Sequence, residues 1–129
     1  MAVSCILLVE ADVLVRNPLA EYLRDCGFRV LEASGAGEAR RLLTEGTQTV
    51  DVVLADADAP GAFALARWIR ESFPSLKLVM AGSPATAAEE AGALCDDGPL
   101  LAKPYDPQIV LDRIRRLLAA RDRERGGKE

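Results

Sequence analysis

Five short apolar segments alternate with amphipathic stretches along the 129 residues, and this alternation constrains the fold more than any other feature. Continuous apolar runs such as SCILLV and VDVVLA are typical of strands that are buried on both faces. Strand–helix alternation of this kind predicts a parallel sheet with helices on both sides. The predicted strands are residues 4–9, 28–32, 50–55, 76–81 and 100–102. A helix is predicted after each of them, the fourth at 85–94.

Residues that favour helix ends suggest where these helices begin. Asp12 has the side chain of an N-cap for the first helix, although Asn17-Pro18 could instead be its cap and first residue. Ser34 is the predicted cap of the second helix and Asp106 of the last one. The polar residues 122–129 are predicted to form a frayed tail behind a single domain at residues 1–121.

Charge is distributed unevenly along the chain. The net charge is −4, but residues 1–112 carry 9 basic and 17 acidic side chains, whereas the chain from Arg113 onward carries 7 basic and 3 acidic ones. An acidic body argues against general nucleic-acid binding. The basic end suits a helix C-terminus, and a docking or linker role for it stays open.

Cysteine and histidine usage excludes several classes of site. The three cysteines, Cys5, Cys26 and Cys95, are widely spaced, and the chain has no histidine. A zinc site is therefore not expected, and a Ser-His-Asp triad is impossible. The apolar N-terminus lacks a basic region, and no apolar run approaches the roughly 20 residues of a membrane span. We expect a cytoplasmic protein without a membrane segment.

Polar residues follow directly on four of the predicted strands. They are Glu10 to Asp12, Asp56 to Asp58, Gly82-Ser83 and Lys103-Pro104. Functional sites in open parallel sheets lie at the carboxyl ends of the strands, so these residues are expected to converge. Close carboxylates need a compensating charge, which Lys103 or a divalent cation such as Mg²⁺ can provide. An aspartate beside such cations is a plausible nucleophile for a phosphoryl group.

The runs VLADADAP, LLVEAD and LAKPY resemble the receiver (CheY-like) domain of response regulators, with similarity over about residues 4–120. The resemblance implies a flavodoxin-like five-stranded parallel sheet in the order 2-1-3-4-5, flanked by five helices. It places the phosphoacceptor at Asp56 and the phosphoryl-contacting lysine at Lys103. Glu10 matches the first residue of the acidic pair, and Asp58 the residue whose backbone carbonyl binds the metal. The peptide bond before Pro104 is expected to be cis.

Three departures from the family pattern concern parts that bind metal or sense phosphorylation. Ala11 stands where the second acid is expected, and Asp12 is one residue out of phase. Gly82 replaces the Ser/Thr that binds the phosphoryl group, although the adjacent Ser83 could substitute for it. Leu100 occupies the aromatic position of the last strand. We therefore expect Mg²⁺ binding through Glu10, Asp56 and Asp58 to be weak or absent.

Three function classes remain open at this point. The favoured one is a receiver module of a two-component phosphorelay, phosphorylated on Asp56 by a sensor histidine kinase or phosphotransfer protein. It would act on a downstream protein through a face formed by residues 85–94, 100–102 and 107–118. The alternative is a phosphorylation-independent pseudo-receiver that serves as an adaptor. An enzyme on the same fold is disfavoured because a glycine-rich phosphate loop and a cofactor motif are lacking. The oligomeric state, including a dimer, stays open, as does whether the chain stands alone or is a fragment of a longer regulator.

Overall fold

The computed structural model describes residues 3–46, 48–83, 95–96 and 98–126. The strands are β1 (Cys5–Val9), β2 (Arg29–Ala33), β3 (Val52–Asp56), β4 (Lys77–Gly82) and β5 (Leu101–Ala102), and the helices are α1 (Val13–Asp25), α2 (Ala36–Glu45), α3 (Ala62–Ser72) and α4 (Pro107–Gly126). All pairings between the strands are parallel, in the order β2-β1-β3-β4-β5, which confirms the predicted sheet. The helix predicted at 85–94 lies outside the described residues.

The sheet is buried on both faces, as the continuous apolar strands predicted. One face packs alternate strand residues such as Leu7 and Val53 against α2 and α3. The other packs Ile6 and Leu54 against α1 and α4. Because successive side chains of a strand point to opposite faces, each central strand contributes to both clusters. The sheet therefore forms the middle of a three-layer core, with the carboxyl ends of its strands along one edge.

Of the two starts that the sequence allowed for the first helix, the structure has the earlier one. Asp12 is the N-cap, and its carboxylate accepts a hydrogen bond of 2.9 Å from the amide of Leu14. Pro18 lies inside α1, so the start at Asn17-Pro18 is wrong. Burial of the face that carries Leu19 and Leu23 outweighs the backbone hydrogen bond that an interior proline removes.

The second helix is capped differently from the prediction. Its N-cap is Gly35, not Ser34. The amide of Ser34 instead donates to the Glu38 carboxylate at 2.7 Å. A carboxylate in the first helical turn can reach back to a free amide in this way, and it also lies favourably in the field of the helix dipole.

The last helix begins as predicted but extends further. The Asp106 carboxylate accepts a 3.0 Å hydrogen bond from the amide of Gln108 in the first turn. Residues 122–126, predicted to fray, continue α4 to Gly126. Near the end of the helix, Arg121 pairs with Asp51 just before β3, and Glu124 lies 3.0 Å from Lys77 at the start of β4. These contacts stabilise the last turns of α4, which their polar composition alone would leave frayed. The domain boundary at residue 121 stays a prediction.

A further contact involves Asp96, which lies outside the predicted helices and strands. The Asp96 carboxylate accepts from the amide of Leu78 at 2.6 Å and lies 2.9 Å from Arg70. The buried guanidinium of Arg113 donates to the carbonyls of Asp96 and Pro99. Asp96 thus connects the chain before β5 to β4 and α4. Its neighbour at position 97 lies outside the described residues.

None of the helices within the described residues is long and apolar enough to cross a membrane.

Candidate functional site

Two buried carboxylates share one ammonium group at the carboxyl edge of the sheet. Asp56 is the last residue of β3, and Glu10 follows β1 directly. Their side chains are 8% and 3% exposed, respectively. The Lys103 Nζ lies 3.1 Å from Asp56 Oδ1 and 2.8 Å from Glu10 Oε1. The three residues that the sequence predicted to converge therefore do so.

Lys103 reaches both acids from the loop after β5. Its amide donates to the carbonyl of Gly82 at 3.1 Å, which fixes the loop against β4. The Lys103–Pro104 peptide bond is cis, as the resemblance implied. Burial by itself would lower the pKa of Lys103, but the hydrogen bonds and charges of Glu10 and Asp56 outweigh it and raise that pKa. The group is thus a permanent cation at neutral pH.

Sequence reasoning missed Tyr105 as a member of this cluster. Its hydroxyl donates to Glu10 Oε1 at 3.3 Å, the same oxygen that Lys103 binds. The Lys103 Nζ lies 5.6 Å from the centre of the Tyr105 ring. Burial, followed by the charges of Glu10 and Asp56, raises the pKa of Tyr105 well above the ordinary tyrosine value. The signal available in the sequence was its position directly after the Lys-Pro pair of the LAKPY run.

The chain after β1 supplies further donors around Glu10. The amide of Asp12 donates to Glu10 Oε2 at 3.2 Å. Arg16 was not predicted as part of the site. It donates to the backbone carbonyl of Glu10 at 2.8 Å and to the Glu32 carboxylate at 3.1 Å. Both oxygens of the Glu10 carboxylate therefore accept hydrogen bonds from the protein. Ala11 is exposed and contributes no polar side chain.

The second acid after β3 contacts both Asp56 and Ser83. The amide of Asp58 donates to Asp56 Oδ1 at 2.9 Å. The carboxylate of Asp58 accepts from the amide of Ser83 at 3.1 Å and from its hydroxyl at 3.3 Å. Ser83 thus lies at the rim of the site but binds Asp58. Gly82 completes β4 and takes part through its backbone.

Comparisons with known proteins agree on one family. A scan against models of protein families finds no match. The chain is 34% identical over 121 residues to the transcriptional regulatory protein GltR of Pseudomonas aeruginosa, which covers 88% of this chain and 48% of GltR. A CheY-like response regulator receiver domain from Methanospirillum hungatei superposes with a TM-score of 0.84 at 22% identity, covering 95% of this chain and 99% of that one. The chain is a response regulator receiver domain.

Another solved receiver relative was crystallised with a metal and a phosphoryl mimic. The response regulator TrrA of Thermotoga maritima, in complex with Mg²⁺ and beryllofluoride, superposes with a TM-score of 0.76 at 20% identity, over 88% of this chain and 98% of TrrA. The present chain spans about half the length of the curated relatives that it matches.

Receiver domains typically bind Mg²⁺ at the phosphorylation site, but the side chains of this receiver domain fit the ion poorly. Ala11 offers no side-chain oxygen ligand, and both Glu10 oxygens accept hydrogen bonds from the protein. Among residues 3–46, 48–83, 95–96 and 98–126, no three acidic or thiol side chains converge in a way that could hold a metal ion. Mg²⁺ demands near-ideal octahedral geometry, which these side chains do not provide as arranged.

Proposed function

We propose that this receiver domain accepts a phosphoryl group on Asp56 in two-component phosphorelay signalling. The observation that carries the proposal is the 3.1 Å separation of the Lys103 ammonium from the Asp56 carboxylate. A cation at this distance offsets the charge that accumulates on the phosphoryl oxygens during transfer. Asp56 also ends a buried strand, so the sheet holds its carboxylate at the edge of the core, where a donor can approach.

The donor would be a phosphohistidine on a sensor kinase or phosphotransfer protein. One Asp56 oxygen attacks the phosphorus, a P–O bond forms, and the P–N bond breaks. The electron pair of the broken bond goes to the imidazole nitrogen, which takes up one proton from solvent, so that the histidine leaves as neutral imidazole. Lys103 and the Asp58 amide both bind Oδ1, which points to Oδ2 as the attacking oxygen. Among the acids of this cluster, Asp56 alone both ends β3 and binds Lys103.

As part of this proposal, we expect Glu10, Asp56 and Asp58 to bind Mg²⁺ only weakly. An added ion would have to compete with Lys103 for the carboxylates of Glu10 and Asp56. Lys103 therefore supplies the main positive charge of the site.

Phosphoryl acceptance is tested by incubation with a small-molecule phosphodonor, acetyl phosphate, followed by intact-mass spectrometry. Wild type should acquire one phosphoryl group slowly, and Asp56→Asn none. Asp25→Asn, which removes an exposed carboxylate at the end of α1, is the matched control and should label as wild type does. Labelling of Asp56→Asn at the wild-type rate would refute the assignment of the acceptor.

A phosphorylation-independent adaptor is the second candidate. It is favoured by Ser83, whose amide and hydroxyl both already bind the Asp58 carboxylate, and by Ala11 in place of the second acid. If wild type neither labels nor binds beryllofluoride in Mg²⁺, the adaptor is the better account.

We place the contact with a downstream protein on the face that includes β5 and the first turns of α4. In this region Ile109 is 55% exposed, although most large apolar residues are buried. Residues 85–94, also assigned to the face, lie outside the described residues. Sedimentation of the phosphorylated and the unmodified protein shows whether this face forms a dimer or contacts only other proteins.

A further inference from the structure

The buried Glu10 carboxylate depends on a cation that Asp56 also needs. Glu10 is 3% exposed, and a buried carboxylate that loses its partners carries a large desolvation penalty. Its strongest contact is the 2.8 Å bond to Lys103, the residue that also lies 3.1 Å from Asp56. A phosphoryl group on Asp56 would add negative charge on that side of Lys103 and draw the ammonium away from Glu10.

Two donors would remain on Glu10 after such a shift. The Asp12 amide binds Oε2, and the Tyr105 hydroxyl binds Oε1, the oxygen that Lys103 would vacate. Without the tyrosine hydroxyl, Oε1 would face a buried environment with no donor, so Lys103 could leave it only at a high cost in free energy. The hydroxyl thus lowers the cost of moving the lysine.

On this basis we infer that Tyr105 is a positioning residue for phosphoryl acceptance, because its hydroxyl satisfies Glu10 while Lys103 turns to the phosphorylated Asp56. The inference rests on the proposed function and adds a residue to it. Tyr105 acts through Glu10 and Lys103 and need not touch the phosphoryl group. In the structure the Tyr105 ring also lies beside the Lys103 ammonium, a favourable contact.

Tyr105→Phe isolates the hydroxyl because it retains the ring. The probe is beryllofluoride in Mg²⁺, and its affinity is measured by NMR titration of the full chain. We expect Tyr105→Phe to bind it roughly tenfold more weakly than wild type, the value of one hydrogen bond to a charged group. Tyr22→Phe is the matched control, since the Tyr22 hydroxyl makes a 3.3 Å bond to Gln108 on the exposed surface. This variant should bind as wild type does.

A double-mutant cycle separates positioning from a structural effect. In a Glu10→Gln background the buried charge is gone, so Tyr105→Phe should change the affinity less than twofold, within the additivity error of independent sites. The ammonium resonance of Lys103, one of three lysines in the chain, should shift on beryllofluoride binding in wild type and less in Tyr105→Phe.

Each outcome decides between the two proposals. If wild type binds beryllofluoride and Tyr105→Phe binds it equally well, the inference is wrong while the proposed function stands. The inference is also wrong if the tenfold loss persists in the Glu10→Gln background. If wild type does not bind the mimic at all, the proposed function fails, and the role of Tyr105 fails with it.

Discussion

The carboxylate of Asp58 binds both donors of Ser83, at 3.1 Å to the amide and 3.3 Å to the hydroxyl. The contact connects the residues after β3 to those after β4. Asp58 lies two residues from the proposed phosphoacceptor and donates its own amide to it. Ser83, the first residue after β4, is therefore tied to the immediate surroundings of Asp56 by an acidic side chain.

Loss of the Asp58–Ser83 contact should affect the hydrogen exchange of the Ser83 amide more than the free energy of unfolding. Asp58→Ala should raise the hydrogen-exchange rate of the Ser83 amide about tenfold, since a hydrogen bond to a charged acceptor is lost. The free energy of unfolding should fall by less than about 1 kcal/mol because Asp58 is exposed. Asp58→Asn retains an oxygen acceptor and should show an intermediate exchange rate. Unchanged exchange in Asp58→Ala would show that the contact does not protect the amide.

Lys103 should be important for stability as well as for the site. Lys103→Met leaves Glu10 and Asp56 buried without their cation, and we expect a loss of about 3 kcal/mol in the free energy of unfolding, measured by urea denaturation. Lys77→Met is the control, since Lys77 pairs with Glu124, whose side chain is 63% exposed. Such a pair is worth at most about 1 kcal/mol. Equal losses in the two variants would contradict the shared-ammonium arrangement.

Ala11 should account for much of the weak metal binding. Ala11→Asp adds a carboxylate beside Glu10 and is expected to tighten Mg²⁺ binding, because an anionic ligand becomes available to the ion. Isothermal titration with MgCl₂ measures the affinity. Ala11→Asn has the same shape without the charge and should change the affinity less. If Ala11→Asp binds Mg²⁺ no better than wild type, residue 11 does not face the site.

The protein should lose stability at alkaline pH. Burial raises the pKa of the Cys5 and Cys95 thiols above the ordinary value of 9.0. Above that pH the unfolded chain releases thiol protons that the folded chain retains, so the free energy of unfolding falls as pH rises. Below it the contribution is fully present. Urea midpoints measured from pH 7 to 10 should decline above about pH 9, and the decline should be shallower in a Cys5→Ala/Cys95→Ala double variant. Parallel curves would mean that the thiols are not responsible.

The convergence of Glu10, Asp56 and Lys103 was predictable because it follows from topology. Each residue directly follows or ends a strand, and parallel strands bring their carboxyl ends to one edge. The same argument located Ser83 near the site, but it could not show that Ser83 binds Asp58. That pairing depends on side-chain conformations and loop geometry, which periodicity does not report.

Contacts between distant single residues were not predictable for a similar reason. Arg121 and Asp51 are 70 positions apart, and nothing in either local pattern indicates the other. Tyr105 looked like an ordinary loop residue until the loop placed its hydroxyl on Glu10. Of the two predicted starts of α1, the Asp12 N-cap is confirmed, and the alternative at Asn17-Pro18 is wrong because the cost of Pro18 to the helix was weighed locally, whereas tertiary burial of the neighbouring residues decides it.

The helix α4 is anchored to the protein near its far end. Its 20 residues span about 30 Å. The helix begins two residues after Tyr105 at the carboxyl edge, and Arg121 ties its other end to Asp51, just ahead of the start of β3. α4 therefore reaches from the edge of the sheet that carries Lys103 to the opposite edge, where β3 begins, and the Arg121–Asp51 pair joins the last turns of the helix to that second edge.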